Sequence, residues 1–156
     1  MIAILHNIRS NHNVGSIFRT ADALGIEKLY LCGITPSPVD RFGRKNSALH
    51  KVSLGAEEYI PWEHATSITE LLDKLKHEGY AILALEQHKD STALESVKLK
   101  KSKKYALVVG NEVEGLPQDI LKRADEIVEI PMLGKKESLN VSVAFGVAVY
   151  QLISSS

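Results

Sequence analysis

A single cysteine, Cys32, excludes an internal disulfide, and no Cys/His spacing in the chain suggests a zinc site. Excess charge of either sign is lacking too. Nineteen basic and 19 acidic side chains leave a formal net charge of zero, which argues against binding nucleic acid by bulk charge. No apolar run approaches the length needed to cross a bilayer. The opening Ile2-Ala3-Ile4-Leu5 is too short for the core of a secretory signal. Repeats and linkers are missing. So are the constellations of nucleophilic catalysis: there is no Cys/His pair, no GxSxG and no paired carboxylates at useful spacing. These absences leave a cytoplasmic chain without a membrane partner, whose 156 residues suit one domain over 1–156.

What is present is an alternation of short apolar runs with amphipathic segments. Ile2–His6 reads as a strand, and Asn13–Leu24 as a helix with Val14, Ile17, Phe18, Ala21 and Leu24 on one face and Gly25 as its stop. Lys28–Cys32 is a second strand, Ser47–Leu54 a short helix and Tyr59–Trp62 a short extended piece. Ser67 and Glu70 form a capping box for a helix that turns Ile68, Leu71, Leu72 and Leu75 inward and ends at Gly79. Tyr80–Leu85 and Tyr105–Val109 are continuously apolar, as strands buried on both faces should be. Pro117–Ala124 is a short helix, Glu126–Ile130 a strand, and Ser138–Ile153 the last helix, with Ser138 as its cap and Gly134 in the turn before it. Such alternation predicts an α/β domain around a mostly parallel sheet flanked by helices.

Ligands of parallel sheets collect at the C-terminal ends of strands. That rule selects three loops, His6–Asn13, Gly110–Gly115 and Pro131–Leu139. In the first, Asn13 is suited to cap the helix. Arg19 lies almost opposite that helix's apolar face, beside Ser16, Thr20 and Ala23. It is either an ordinary exposed arginine or one offered to a ligand or partner subunit. In the second, Gly110 and Gly115 allow close backbone approach or positive φ, but the segment is neither GxGxxG nor a P-loop. In the third, Ser138 and Asn140 flank Leu139 at the start of a helix. Two basic runs, Arg41, Arg44, Lys45 and Lys51, and the weaker candidate Lys98–Lys104, keep phosphate contact open.

Together the three loops resemble the SpoU/TrmH-type branch of the SPOUT RNA methyltransferases. The first signature is matched by Asn13-Val14-Gly15-Ser16-Ile17-Phe18-Arg19-Thr20-Ala21 and the second by Gly110-Asn111-Glu112-Val113-Glu114-Gly115-Leu116. The third is matched by Ile130-Pro131-Met132 with Ser138-Leu139-Asn140-Val141-Ser142-Val143-Ala144. Gly33-Ile34-Thr35-Pro36 and Leu54-Gly55-Ala56-Glu57 agree between them, so the likeness covers essentially the whole chain. Asn111 and Val113 depart from the residues usual at their positions, without touching a required group.

The resemblance implies a C-terminal deep trefoil knot, an exception to the rule against threading. It implies S-adenosylmethionine held in the knot without a metal, a homodimer with sites at the interface, and methylation of a ribose 2′-hydroxyl of tRNA or rRNA. By motif position, Leu85, Gly110, Gly115, Ile130, Met132 and Leu139 would line the cofactor pocket. Arg19 would be catalytic, supported by Asn13, Glu112, Ser138 and Asn140. Many relatives carry an RNA-binding extension and none is expected here, so Arg41, Arg44, Lys45 and Lys51 are the residues expected to grip RNA. Two other readings are an RNA-binding protein with an inactive site, and a methyltransferase acting on something other than RNA.

Overall fold

A computed structural model of the chain describes residues 1–155. In chain order its elements are β1 (Ile2–His6), α1 (Asn11–Ala23), β2 (Leu29–Cys32), α2 (Ser47–Ser53), β3 (Trp62–Ala65) and α3 (Ile68–His77). There follow β4 (Tyr80–Leu85), β5 (Thr92–Ala93), β6 (Lys104–Val109), α4 (Gln118–Leu121), β7 (Glu126–Glu129) and α5 (Val141–Ser154). The described strands form one seven-stranded sheet in the order β3-β2-β1-β6-β4-β7-β5. Every pairing is parallel.

Period-two alternation divides the core into two layers. Ala3 and Leu5 of β1, with Leu107 and Val109 of β6, pack beneath Val14, Ile17 and Phe18 of α1 and Phe145, Ala148 and Leu152 of α5. Ile2 and Ile4, with Ala106 and Val108, face Leu71, Leu72 and Leu75 of α3 and Ile120 of α4. Central strands covered on both sides explain why β1, β4 and β6 read as unbroken apolar runs.

Three element boundaries differ from expectation, each for a local reason. Helix α1 is capped by Ser10, whose side chain accepts from the Asn13 N–H at 3.2 Å, so Asn13 sits inside the first turn with its own side chain free for other work. Helix α5 begins at Val141, not Ser138, and its cap is Asn140, whose Oδ1 accepts from the N–H groups of Ser142 and Val143. The third strand is Trp62–Ala65 rather than Tyr59–Trp62. A 3₁₀ turn over Ala56–Glu58 precedes it, and Pro61, having no N–H, enters the ladder only as an acceptor, from Leu29. The two-residue edge strand β5 is too short to leave a periodic signal.

Parallel strands deliver their following loops to one edge. The segments after β1, β2, β4, β6 and β7 all emerge there. Lys104 instead opens β6, so the Lys98–Lys104 run leads into the opposite edge. Helix α5 is apolar on two sides: Phe145, Ala148, Val149 and Leu152 are buried, while Val143, Val147, Tyr150 and Ile153 are exposed. No helix of the described residues is long and apolar enough to cross a membrane.

Candidate active site

Three side chains distant in sequence form one hydrogen-bonded relay at the strand ends. Asn140 Nδ2 donates to Asn13 Oδ1 at 3.1 Å, and Asn13 Nδ2 donates to Glu112 Oε1 at 2.8 Å. The polarity of the relay is dictated by the helix cap. Because Asn140 Oδ1 is taken by the first N–H groups of α5, its amide nitrogen must face Asn13. Asn13 must then turn its oxygen to Asn140 and its nitrogen to Glu112. The helix cap, the first loop and the second loop are thereby joined.

The loop after β6 is held from inside and outside. Asn111 is buried; its Oδ1 accepts from the N–H groups of Val113 and Glu114 at 2.8 and 3.0 Å, and its Nδ2 donates to the Asn7 carbonyl at 2.9 Å. Asn111 thus builds the turn and ties it to the residue that follows β1. Asn7, at positive φ, also accepts from the Ile34 N–H, so it gathers the loops after β1, β2 and β6. Just before it, the His6 imidazole is held below the usual histidine range by burial, with the Asp119 carboxylate pulling the other way.

The glycines have different reasons. A Cβ on Gly110 would stand 2.8 Å from the Gly115 carbonyl carbon and from Leu116, so the chain itself, rather than a ligand, excludes a side chain there. Gly115 has φ of +66°, and a Cβ on it would meet Glu86 Oε2 at 2.4 Å. Glu86 in turn accepts from the Leu116 N–H at 2.8 Å and the Gln87 N–H at 3.0 Å. Gln87 Nε2 donates to the Glu137 carbonyl at 2.7 Å, fastening the third loop to the end of β4.

These loops enclose a cleft of about 360 Å³, within the ordinary range for a small-molecule site. Leu85, Gly110, Gly115, Ile130, Met132 and Leu139 all line it, as do Glu112 and Ser138. Asn13 and Asn140 do not line it; Asn13 is joined to it through Glu112, and Asn140 lies between the lining residues Leu139 and Val141. Arg19 lies apart: it is exposed on α1, lines no wall of the cleft, and makes no hydrogen bond or ion pair among the described residues. Sequence reasoning missed Glu86 and Gln87 in the lining, although their place just past the C-terminal end of a central strand was the available signal. A shallower groove of about 430 Å³ runs beside α5, between Leu94, Pro131, Val147 and Tyr150, and shares Ile130 with the cleft. Arg41, Arg44, Lys45 and Lys51 are all exposed on the segment between β2 and the end of α2.

Comparison with known proteins adds an independent line. Residues 1–150 match the profile of the SpoU rRNA Methylase family. The 23S rRNA (guanosine-2′-O-)-methyltransferase RlmB of Escherichia coli strain K12 is 32% identical over 152 residues, covering 97% of this chain and 59% of that protein. The chain thus spans less than two thirds of that relative's length. An AdoMet-bound rRNA methyltransferase from Sinorhizobium meliloti superposes with a TM-score of 0.85 at 27% identity, over 96% of this chain and 54% of that one. A structure described as giving insights into the 2-OH methylation of C/U34 on tRNA superposes with a TM-score of 0.82 at 27% identity, over 98% of this chain and 93% of that one.

Proposed function

The chain belongs to the SpoU rRNA methylase family, and from that premise we propose that it methylates a ribose 2′-hydroxyl of tRNA or rRNA in the cytoplasm, using S-adenosylmethionine. The observation that carries this reading is that the second and third motif loops line one cleft and the first is tied to them through the Asn140–Asn13–Glu112 relay. The cleft suits the cofactor: Leu85, Ile130, Met132 and Leu139 offer apolar walls, and the turns at Gly110 and Gly115 offer peptide groups in a polar rim. In this reading the loop from Pro131 to Leu139 is part of the trefoil knot wall, stiffened by Gln87 and by the α5 cap.

S-adenosylmethionine supplies an electrophilic sulfonium methyl group. The chain's residues must then align the ribose oxygen and manage the proton it loses, and alignment alone can supply much of the rate. Arg19 stays protonated in a protein, so its role is that of a fixed cation. It stabilises the developing oxyanion and holds the adjacent phosphate with its planar fork. The proton leaves through water, the phosphate or Glu112, which Asn13 anchors at the cleft. Ser138 also lines the cleft.

Arg19 cannot be counted among the cleft walls of one chain, and α5 leaves Val143, Val147 and Tyr150 uncovered beside the groove that adjoins the cleft. A homodimer joined through that face accounts for both, with the partner's Arg19 serving the cleft. Gly146 of α5 packs within reach of Thr20, so Arg19 stands next to the proposed seam.

The test is methyl transfer from labelled S-adenosylmethionine to total RNA, with and without ribonuclease, followed by mapping of the product nucleotide. Ribonuclease-sensitive label in a 2′-O-methyl nucleotide is the expected result. Arg19→Ala should bind cofactor normally and lose transfer by ~10²-fold or more, with poor rescue by Arg19→Lys. Label in protein or small molecules, or full activity of Arg19→Ala, would overturn the assignment.

A further inference from the structure

Between β2 and α2 the chain makes a small hairpin whose tip is an exposed phenylalanine between two arginines. Val39 and Lys45 bridge antiparallel at its base, and the Asp40 N–H donates to the Arg44 carbonyl at 2.9 Å. Asp40 holds the tip from within: its Oδ1 accepts from the N–H groups of Phe42 and Arg44 at 2.8 and 3.0 Å, and its Oδ2 accepts from Arg44 Nε at 2.7 Å. Phe42 is 66% exposed. The Arg41 and Arg44 guanidinium carbons lie 4.8 and 5.1 Å from its ring centroid. Arg41 makes no ion pair among the described residues.

A lone exposed apolar side chain needs no explanation. This one is different in its setting. The segments flanking the hairpin are locked to the end of β1 and the start of α1: Asn46 Nδ2 donates to Asn11 Oδ1 at 2.7 Å, and Thr35 Oγ1 donates to the Leu5 carbonyl at 2.9 Å while accepting from the Ile8 N–H at 3.2 Å. Gly15 lets α2 press against α1, because a Cβ there would sit 2.7 Å from the Leu49 carbonyl oxygen. The hairpin is therefore a stiff arm on the active-site edge, ending in an aromatic face and two cations.

Building on the RNA reading above, we propose that Phe42 is a stacking platform for an unpaired nucleobase, with Arg41 and Arg44 meeting the flanking phosphates, so that the preferred substrate presents single-stranded nucleotides beside the target ribose. Aromatic faces accept any base that is not already stacked, and the faces of paired bases are closed to them. A base can displace a guanidinium from the ring or stack on the guanidinium plane, and in either case the cation stays beside the backbone.

The test is fluorescence anisotropy of the full chain, saturated with S-adenosylhomocysteine, on an unstructured 12-mer RNA and on a 12-base-pair RNA duplex. Phe42→Ala should weaken single-strand binding by roughly 5- to 150-fold, the range for losing one stacked base, with little change on the duplex and an unchanged salt slope. Phe42→Trp should keep the affinity, and its added fluorescence should be quenched by the single strand. Arg41→Gln with Arg44→Gln should reduce the salt slope on the single strand by about 1.4. Unchanged affinity of Phe42→Ala, in a chain that still binds and methylates RNA, overturns the platform alone. Equal losses on single strand and duplex overturn it too. A shift of Phe42→Ala to a smaller species on light scattering, with unchanged RNA affinity, assigns Phe42 to subunit contact instead. If the parent chain binds no RNA at any salt, the functional reading fails and the platform with it.

Discussion

Replacing Asn13 by aspartate alters one group and leaves the shape of the side chain. In the folded chain the Asn13 amide donates to Glu112 at 2.8 Å and accepts from Asn140 at 3.1 Å, in a residue only 8% exposed. A carboxylate can still accept from Asn140 but cannot donate, so two negative groups meet where a charge-assisted bond stood. The lost bond is worth about 1.5–3 kcal/mol. Once the two carboxylates relax to about 4 Å, their repulsion ranges from about 1 kcal/mol in bulk water to about 4 kcal/mol near a protein surface. Glu112 is exposed and can swing into water, which brings the sum down to roughly 2–3 kcal/mol. For a domain of this size that lowers Tm by about 4–12 °C. Asn13→Ala removes both bonds without adding charge, and with the exposed Glu112 again free to turn into water it should cost about 1–2 kcal/mol. Calorimetric melting at pH 7 and pH 4.5, each variant against the parent at the same pH, reads the effect. The expected order at pH 7 is parent, Asn13→Ala, Asn13→Asp. The gap for Asn13→Asp should narrow at pH 4.5, where a protonated carboxyl can donate to Glu112. A double-mutant cycle of Asn13→Ala with Asn140→Ala should show coupling of about 0.5–1.5 kcal/mol. An Asn13→Asp protein that melts with the parent at pH 7, or a cycle that closes at zero, would falsify the relay.

Two further outcomes are expected. Burial pushes the Cys32 thiol up to about 12 from an ordinary value of 9.0, so at pH 8 only about one molecule in ten thousand carries the thiolate. Labelling by a thiol reagent should therefore wait for unfolding, and the associated stability, present below pH 9.0, should be lost between pH 9.0 and about 12; rapid native-state labelling at pH 8 would contradict the burial. Val147→Glu with Tyr150→Glu, on the exposed face of α5, should convert a dimer to a monomer on light scattering and lower methyl transfer. A parent chain that is monomeric and fully active at assay concentration would refute the dimer.

The layered α/β architecture is legible in the amino-acid order alone, because burial of strands and helices writes its period into neighbouring residues. Unbroken apolar runs at β1, β4 and β6 and a 3.6-residue stripe on α1 are local patterns, and the parallel sheet follows from their alternation. Parallel strands then send the three motif loops to a common edge, while the six expected lining residues were legible only through the family resemblance. What Asn13, Asn111 and Asn140 do was not. From sequence, Asn13 and Ser138 looked like helix caps; tertiary structure gave those roles to Ser10 and Asn140. It could do so because hydrogen-bond partners are chosen by distance in space: Asn13 meets residues 99 and 127 positions away. For the same reason the close approach that requires Gly110 to be glycine comes from Gly115 and Leu116 folding back on it, and Glu86 finds its role only once β4 and β6 lie side by side. Periodicity is a property of neighbours in the chain, whereas a polar side chain's function depends on which donor or acceptor the finished fold sets within about 3 Å of it.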